Sequence, residues 1–140
     1  MCIRDSAKVL RAEQFRTVWL ENTGMGFVLH ELPVEAQFAP VYAIASDDFN
    51  GDGHVDLFLA GNNRWSRIYF GRYDANHGQV FLGDGKGGFR LLPASQTGIS
   101  IRADVRDAAL VRGKRGNRIV VGVNDGEAQA LYLNLADKGL

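Results

Sequence analysis

The chain has 140 residues, enough for one ordinary domain, and 46% hydrophobic against 23% charged residues is a globular rather than a disordered mixture. Lysine and arginine number 16 and aspartate and glutamate number 16, so the formal charge is zero, which argues against recruitment to nucleic acid or an anionic membrane by bulk charge. Cys2 is the single cysteine, which excludes an internal disulfide and a cysteine-cluster metal site.

From the start of the chain, residues 1–6 match nothing downstream and carry no hydrophobic core of a signal peptide, so they read as a truncated or non-native start. Residues 7–16 hold a weak pattern for a helical turn. Beyond them, 17 glycines against three prolines imply many tight turns, and the apolar residues fall in short runs of strand length. These runs are Thr17–Leu20, Phe27–Leu29, Val41–Ala45, Leu57–Ala60, Gln79–Leu82, Ile119–Val121 and Leu131–Leu133. The runs from Leu57 and from Ile119 are apolar at successive positions, which predicts strands buried on both faces. No run approaches the roughly 18 to 20 apolar residues that span a bilayer, so direct membrane insertion is not expected.

Two segments agree on one internal period. Val18–Phe27 lies over Val80–Phe89 without a gap, as an apolar strand, a glycine turn and an aromatic; Leu57–Asn62 lies over Ile119–Asn124; both offsets are 62 residues. A third copy of the first strand, Ala130–Asn134, arrives 11 residues early, and the polar stretch Arg64–Gly78 reads as a loop inserted into the first repeat only. Without that insertion the period approaches the roughly 40 to 50 residues of a propeller blade. The expected fold is all-β, a partial β-propeller of two to three four-stranded antiparallel blades over residues 7–140, with units near 7–40, 41–100 and 101–140. A closed propeller needs at least about four blades. The expectation is therefore of a part of a longer protein, whose remaining blades are the first partner, or of a small domain that oligomerises to close its sheets.

Asp47, Asp48, Asp52 and Asp56 crowd one short stretch with no lysine or arginine among them, which is costly unless a cation neutralises it. Asp48-Phe49-Asn50-Gly51-Asp52-Gly53-His54-Val55-Asp56 reads D-x-N-x-D-G-x-x-D, with oxygen-bearing side chains at loop positions 1, 3, 5 and 9. Gly53 permits the sharp turn that aims the His54 carbonyl inward, and hard oxygen ligands in this number suit calcium better than magnesium. The candidate ligands are Asp48, Asn50, Asp52 and Asp56 by side chain and His54 by its main-chain oxygen. An EF-hand would need a bidentate glutamate at position 12 on a helix, but Leu59 stands there inside an apolar run. A metal-free acidic turn is the alternative.

The loop with Asp56–Asn62, together with the hairpin Val80–Phe89, resembles the FG-GAP or VCBS repeat; Leu32–Val41 and Gly71–Asp74 are similar to segments of large bacterial VCBS-repeat proteins near their C-terminal blades. The resemblance covers roughly residues 15 to 134. It implies seven- or eight-bladed propellers, as in integrin α-subunit heads and many secreted bacterial proteins, with a structural Ca2+ held by the same five loop residues. It also implies an extracellular, cell-surface or periplasmic place and a non-catalytic binding or adhesion scaffold with a protein or glycan ligand. The alternative is the propeller portion of a polysaccharide lyase or hydrolase whose catalytic residues lie elsewhere. In the second repeat the side-chain ligand positions become Leu110, Arg112, Lys114 and Arg118, so one calcium per chain is expected. The basic loop around Arg112, Lys114 and Arg115 caps a metal-free turn or binds an anionic partner.

No nucleophile elbow, zinc-protease motif or phosphate loop occurs. His30, His54 and His77 are isolated, at a strand end, a metal-loop position facing solvent and a loop tip. Trp65, Tyr69, Phe70 and Tyr73, interleaved with Arg64, Arg67 and Arg72, suit carbohydrate or protein recognition, although packing of the loop over a sheet face accounts for them too.

Overall fold

The computed structural model describes residues 10–66, 69, 71–113, 117–133 and 135. The proposed start 1–6, Cys2, Arg67, Phe70, Lys114 and Arg115 lie outside the described residues, as does Asn134 of the third strand copy. Of the helical turn expected over residues 7–16, residues 7–9 lie outside the described residues and 10–16 form no helix; the stretch carries too weak an apolar period to bury a helical face.

Nine strands in three antiparallel sheets make up the described fold. A hairpin of β1 (Val18–Asn22) and β2 (Phe27–Glu31) comes first. After Pro33 a single 3₁₀ turn, Val34–Gln37, leads into β3 (Val41–Asp47), β4 (Asp56–Gly61), β5 (Gln79–Gly83) and β6 (Phe89–Leu92), which pair in chain order as one meander. Pro93 starts a four-residue helix α1 (Ala94–Thr97), which stops at Gly98 in the left-handed conformation, φ 72°. A second meander follows, β7 (Val105–Val111), β8 (Arg118–Val123) and β9 (Gln129–Tyr132). The all-β class is thus observed. Among the described residues one sheet has four strands and the others have two and three, so the expectation of two to three four-stranded units is met by a single sheet, and no sheet closes on itself.

All seven apolar runs fall on strands, although the first strand begins only at Val18 and the last ends at Tyr132. β7 escaped the sequence pattern because Arg106 and Asp107 interrupt its apolar residues. Asp107 lies on the exposed face of an alternating strand, while Arg106, half-buried at the register shift, donates to the Asn62 carbonyl. Both meanders bend near their start, with register shifts between Val41 and Ala43 and between Val105 and Asp107. β8 begins and ends 62 residues after β4.

The expectation of two buried faces holds for β4, where Phe58, Leu59 and Ala60 are all fully buried. Phe58 and Ala60 face β7 to β9 in a core with Val80, Leu82, Val105, Ile119 and Val121. Leu57 and Leu59 face the other way, with Phe81, Leu32 and Ala36, and Trp19 of β1 packs on that side. β8 is different: Ile119 and Val121 are buried, but Val120 and Val123 are only half-covered. The first hairpin also leaves Leu20, Phe27, Val28 and Leu29 exposed. Trp65, Tyr69 and Tyr73 are 81%, 96% and 43% exposed, so the described aromatics of the inserted loop do not pack over a sheet face.

Candidate metal site

The acidic loop joins β3 to β4 at one end of the four-stranded sheet. Asp48 opens it. Its Oδ1 accepts from the amides of Gly51 (2.6 Å) and Asp52 (3.1 Å), and its Oδ2 from that of Gly53 (2.8 Å). Three successive amides on one carboxylate curl the chain into a tight bend. Gly51 and Gly53 sit at φ 82° and 87°, where a side chain would strain the backbone. The side chain of Asn50 donates to Asp52 Oδ2 (2.9 Å) and its Oδ1 accepts the Asp52 amide (3.2 Å). The His54 amide donates to Asp52 Oδ1 (2.8 Å). These bonds from Asn50 and His54 hold the Asp52 carboxyl below the ordinary value of 3.8.

Asp56 differs from the others. It is fully buried, and its carboxylate ties two segments together: Oδ2 accepts from the Phe49 amide at the head of the loop and Oδ1 from the Gly83 amide at the end of β5, each at 2.9 Å. Burial pushes its carboxyl above 3.8; the amides of Gly83 and Phe49 oppose that shift, and the carboxylates of Asp52 and Asp48 add to it. The carboxylates of Asp48 and Asp52 are therefore close enough to act on Asp56. Phe49, the apolar second position, plugs the buried core and anchors the loop.

His54 is exposed as expected, but its ring packs on Gly85, where any Cβ would strike the imidazole. The loop thereby rests on the β5–β6 turn. In that turn Asp84 Oδ1 accepts from the amides of Lys86 (2.7 Å) and Gly88 (2.8 Å), and these bonds lower its carboxyl below 3.8. A depressed folded pKa contributes stability at higher pH that is lost as pH falls through it. The turn should therefore hold down to below pH 3.8. Titration of the Asp84 carboxyl carbon resonance checks this; a midpoint at or above 3.8 would mean that the two amides are not bound in solution.

Asp47, the remaining acid, is held from the other meander. Asn117 donates to its Oδ2 at 2.8 Å and Arg112 lies 3.6 Å from its Oδ1. The basic loop of the second repeat thus leans on the acidic loop of the first. No spacing rule could have found this, because the partners are 70 residues apart.

All five candidate ligands offer hard oxygen, three of them as carboxylates, and this donor chemistry fits calcium. Among the described residues, no group of three or more histidine, cysteine, aspartate or glutamate side chains is placed to hold a metal ion. Any such ion would draw on Asn50 and the His54 carbonyl as well as the acids. No described helix is long and apolar enough to cross a membrane. The fold and loop define an all-β protein of antiparallel meanders with an acidic loop at a sheet end. Compared with protein-family models, with curated proteins and with solved structures, the chain matches none.

Proposed function

We propose that this chain is part of a calcium-stabilised β-propeller of the FG-GAP or VCBS type, which acts as a non-catalytic binding scaffold in a larger secreted or cell-surface protein. The observation that carries the reading is the Asp48–Asp56 bend, whose acids Asp48 and Asp52 both act on the buried Asp56 at the start of strand β4. Support comes also from the meander order β3-β4-β5-β6, from the 62-residue spacing of β4 and β8, and from the apolar residues left open on the β1–β2 hairpin. Further blades would cover that hairpin and complete the three-stranded sheet. Bound calcium supplies positive charge that cancels the carboxylate repulsion. The chain's own part is to hold Asp48, Asn50, Asp52, the His54 carbonyl and Asp56 around one bend, so that binding stabilises the fold.

Weak affinity, roughly 10⁻⁴ to 10⁻³ M, is expected for an extracellular module. At about 10 to 100 times the dissociation constant the fold gains about 1.4 to 2.7 kcal/mol, or roughly 3 to 10 °C in Tm for a domain of this size. The test is thermal unfolding in EDTA and in 10⁻² M (order of magnitude) calcium. The wild-type chain should show the rise and Asp52→Ala should lose it while melting normally in EDTA. A wild-type Tm indifferent to calcium would overturn the reading.

A further inference from the structure

A cleft of about 500 Å³ lies between the loop after β4 and the β8–β9 turn, at the opposite end of β4 from the acidic loop. One wall carries Arg64 and Trp65, the other Asn124, Asp125, Glu127 and Gln129, with Asp104 between them. Asp104 is buried and fastens both walls. Its two carboxylate oxygens each accept from the Arg64 amide at 3.1 Å, and its main-chain carbonyl accepts from the Asn124 amide at 2.8 Å. Arg106 lies 3.5 Å from the same carboxylate and also donates to the Asn62 carbonyl at 2.9 Å.

The loop bearing Trp65 is tied down further. Asn62 is buried in the left-handed conformation, φ 83°, and exchanges bonds with Asn76: its side chain donates to the Asn76 carbonyl (2.6 Å) and accepts the Asn76 amide (2.9 Å). Asn63 and Tyr73 pair across the loop by two backbone hydrogen bonds. Opposite, Asp125 holds φ 55° in the turn after β8, a left-handed conformation that aspartate tolerates better than most residues. Both walls are thus tied by hydrogen bonds, yet the largest apolar side chain of the cleft, Trp65, is 81% exposed and packs on nothing in the core. An indole left open on a fixed frame beside a polar cleft is the arrangement of a binding hot spot rather than of a core residue.

The cleft chemistry selects the ligand. Asp125, Glu127, Asn124 and Gln129 are exposed and supply acceptors and donors at close spacing, which suits a ligand carrying many hydroxyl groups. Arg64 is the one basic residue lining the cleft among the described residues, and its guanidinium donates to the Arg102 carbonyl at 2.8 Å. The two open carboxylates therefore dominate the field and repel sulfate and uronate groups. We propose that this cleft binds a neutral oligosaccharide, with the apolar face of a pyranose ring stacked on Trp65 and its hydroxyls donating to Asp125 and Glu127. The inference takes its setting from the scaffold reading above and names its ligand class, but its chemistry does not involve the calcium loop.

The chain has two tryptophans, Trp19 and Trp65, so a ¹⁵N-labelled sample has two indole N–H resonances, assignable through Trp65→Phe. Trp19 is stacked on His30 at 4.3 Å and serves as the internal control. The probes are cello-, malto-, xylo- and mannohexaose, with a heparin hexasaccharide and choline as charged comparisons. At least one neutral hexasaccharide should shift the Trp65 indole saturably with a dissociation constant of about 1 mM or below, leaving the Trp19 indole in place. Trp65→Ala should weaken binding about ten-fold or more with an unchanged Tm, and Glu127→Gln should weaken it while the stacking shift persists. No saturable shift with any neutral hexasaccharide, or a shift with heparin or choline alone, overturns the proposal. Loss of the calcium effect with the indole shift intact sinks the calcium reading alone, and the converse sinks the cleft alone.

Discussion

Replacing Asp56 by alanine should destabilise the fold by about 3 to 5 kcal/mol even in EDTA, which separates this residue from the other acids of its loop. The carboxylate is fully buried and receives the Phe49 and Gly83 amides at 2.9 Å each. Hydrogen bonds to a charged group contribute about 1.5 to 3 kcal/mol each, and their loss strands two donors away from water. Asp56→Asn keeps one acceptor but turns an amide donor toward a backbone N–H, so an intermediate loss is expected. Asp52, exposed and bonded within the bend, should show no such loss without metal. Urea unfolding in EDTA checks the contrast; equal stability of Asp56→Ala and wild type would mean that Asp56 acts only through a bound ion. The pH dependence has an opposite sign at the two sites. The folded state holds the Asp56 proton more tightly than the unfolded chain, so this group alone favours the metal-free fold as pH falls toward 3.8, whereas Asp84 favours it as pH rises.

Phe58→Ala should cost about 3 to 5 kcal/mol, a large part of the 5 to 15 kcal/mol available to a domain. Phe58 has no exposed surface, sits at the middle of β4 and belongs to the core shared by the four-stranded sheet and β7 to β9. Truncation removes its burial and leaves a void that two hydrogen-bonded sheets cannot close by moving a single side chain. Phe27→Ala, at a position 69% exposed, should change stability by within about 0.5 kcal/mol. Denaturant midpoints of the two variants make the comparison. A loss below about 1 kcal/mol for Phe58→Ala would show that the two meanders do not pack through this residue.

The acidic loop and the strands around it were legible because their signals are local. Alternating oxygen-bearing residues, glycines at 51 and 53 and an apolar run from Leu57 fall within a dozen residues, and backbone stereochemistry alone turns that pattern into a bend entering a strand. β7 was not legible, since Asp107 lies on the exposed side of the strand and Arg106, on the half-buried side, is satisfied by the Asn62 carbonyl, a partner 44 residues away. Nor was the start of α1, where the only cue is Pro93 at its N-terminus.

What the amino-acid order determined by itself was the all-β class, the places of most strands and the run of acids. The meander partners decided the rest. Whether Asp56 is a ligand-like acid or a buried tie depends on the Gly83 amide, 27 residues away. Whether Asp47 faces solvent depends on Asn117, and the cleft beside Trp65 exists only because Asp104 joins two loops distant in the chain. Hydrogen bonds and desolvation act between neighbours in space, and only the folded chain sets which residues those are.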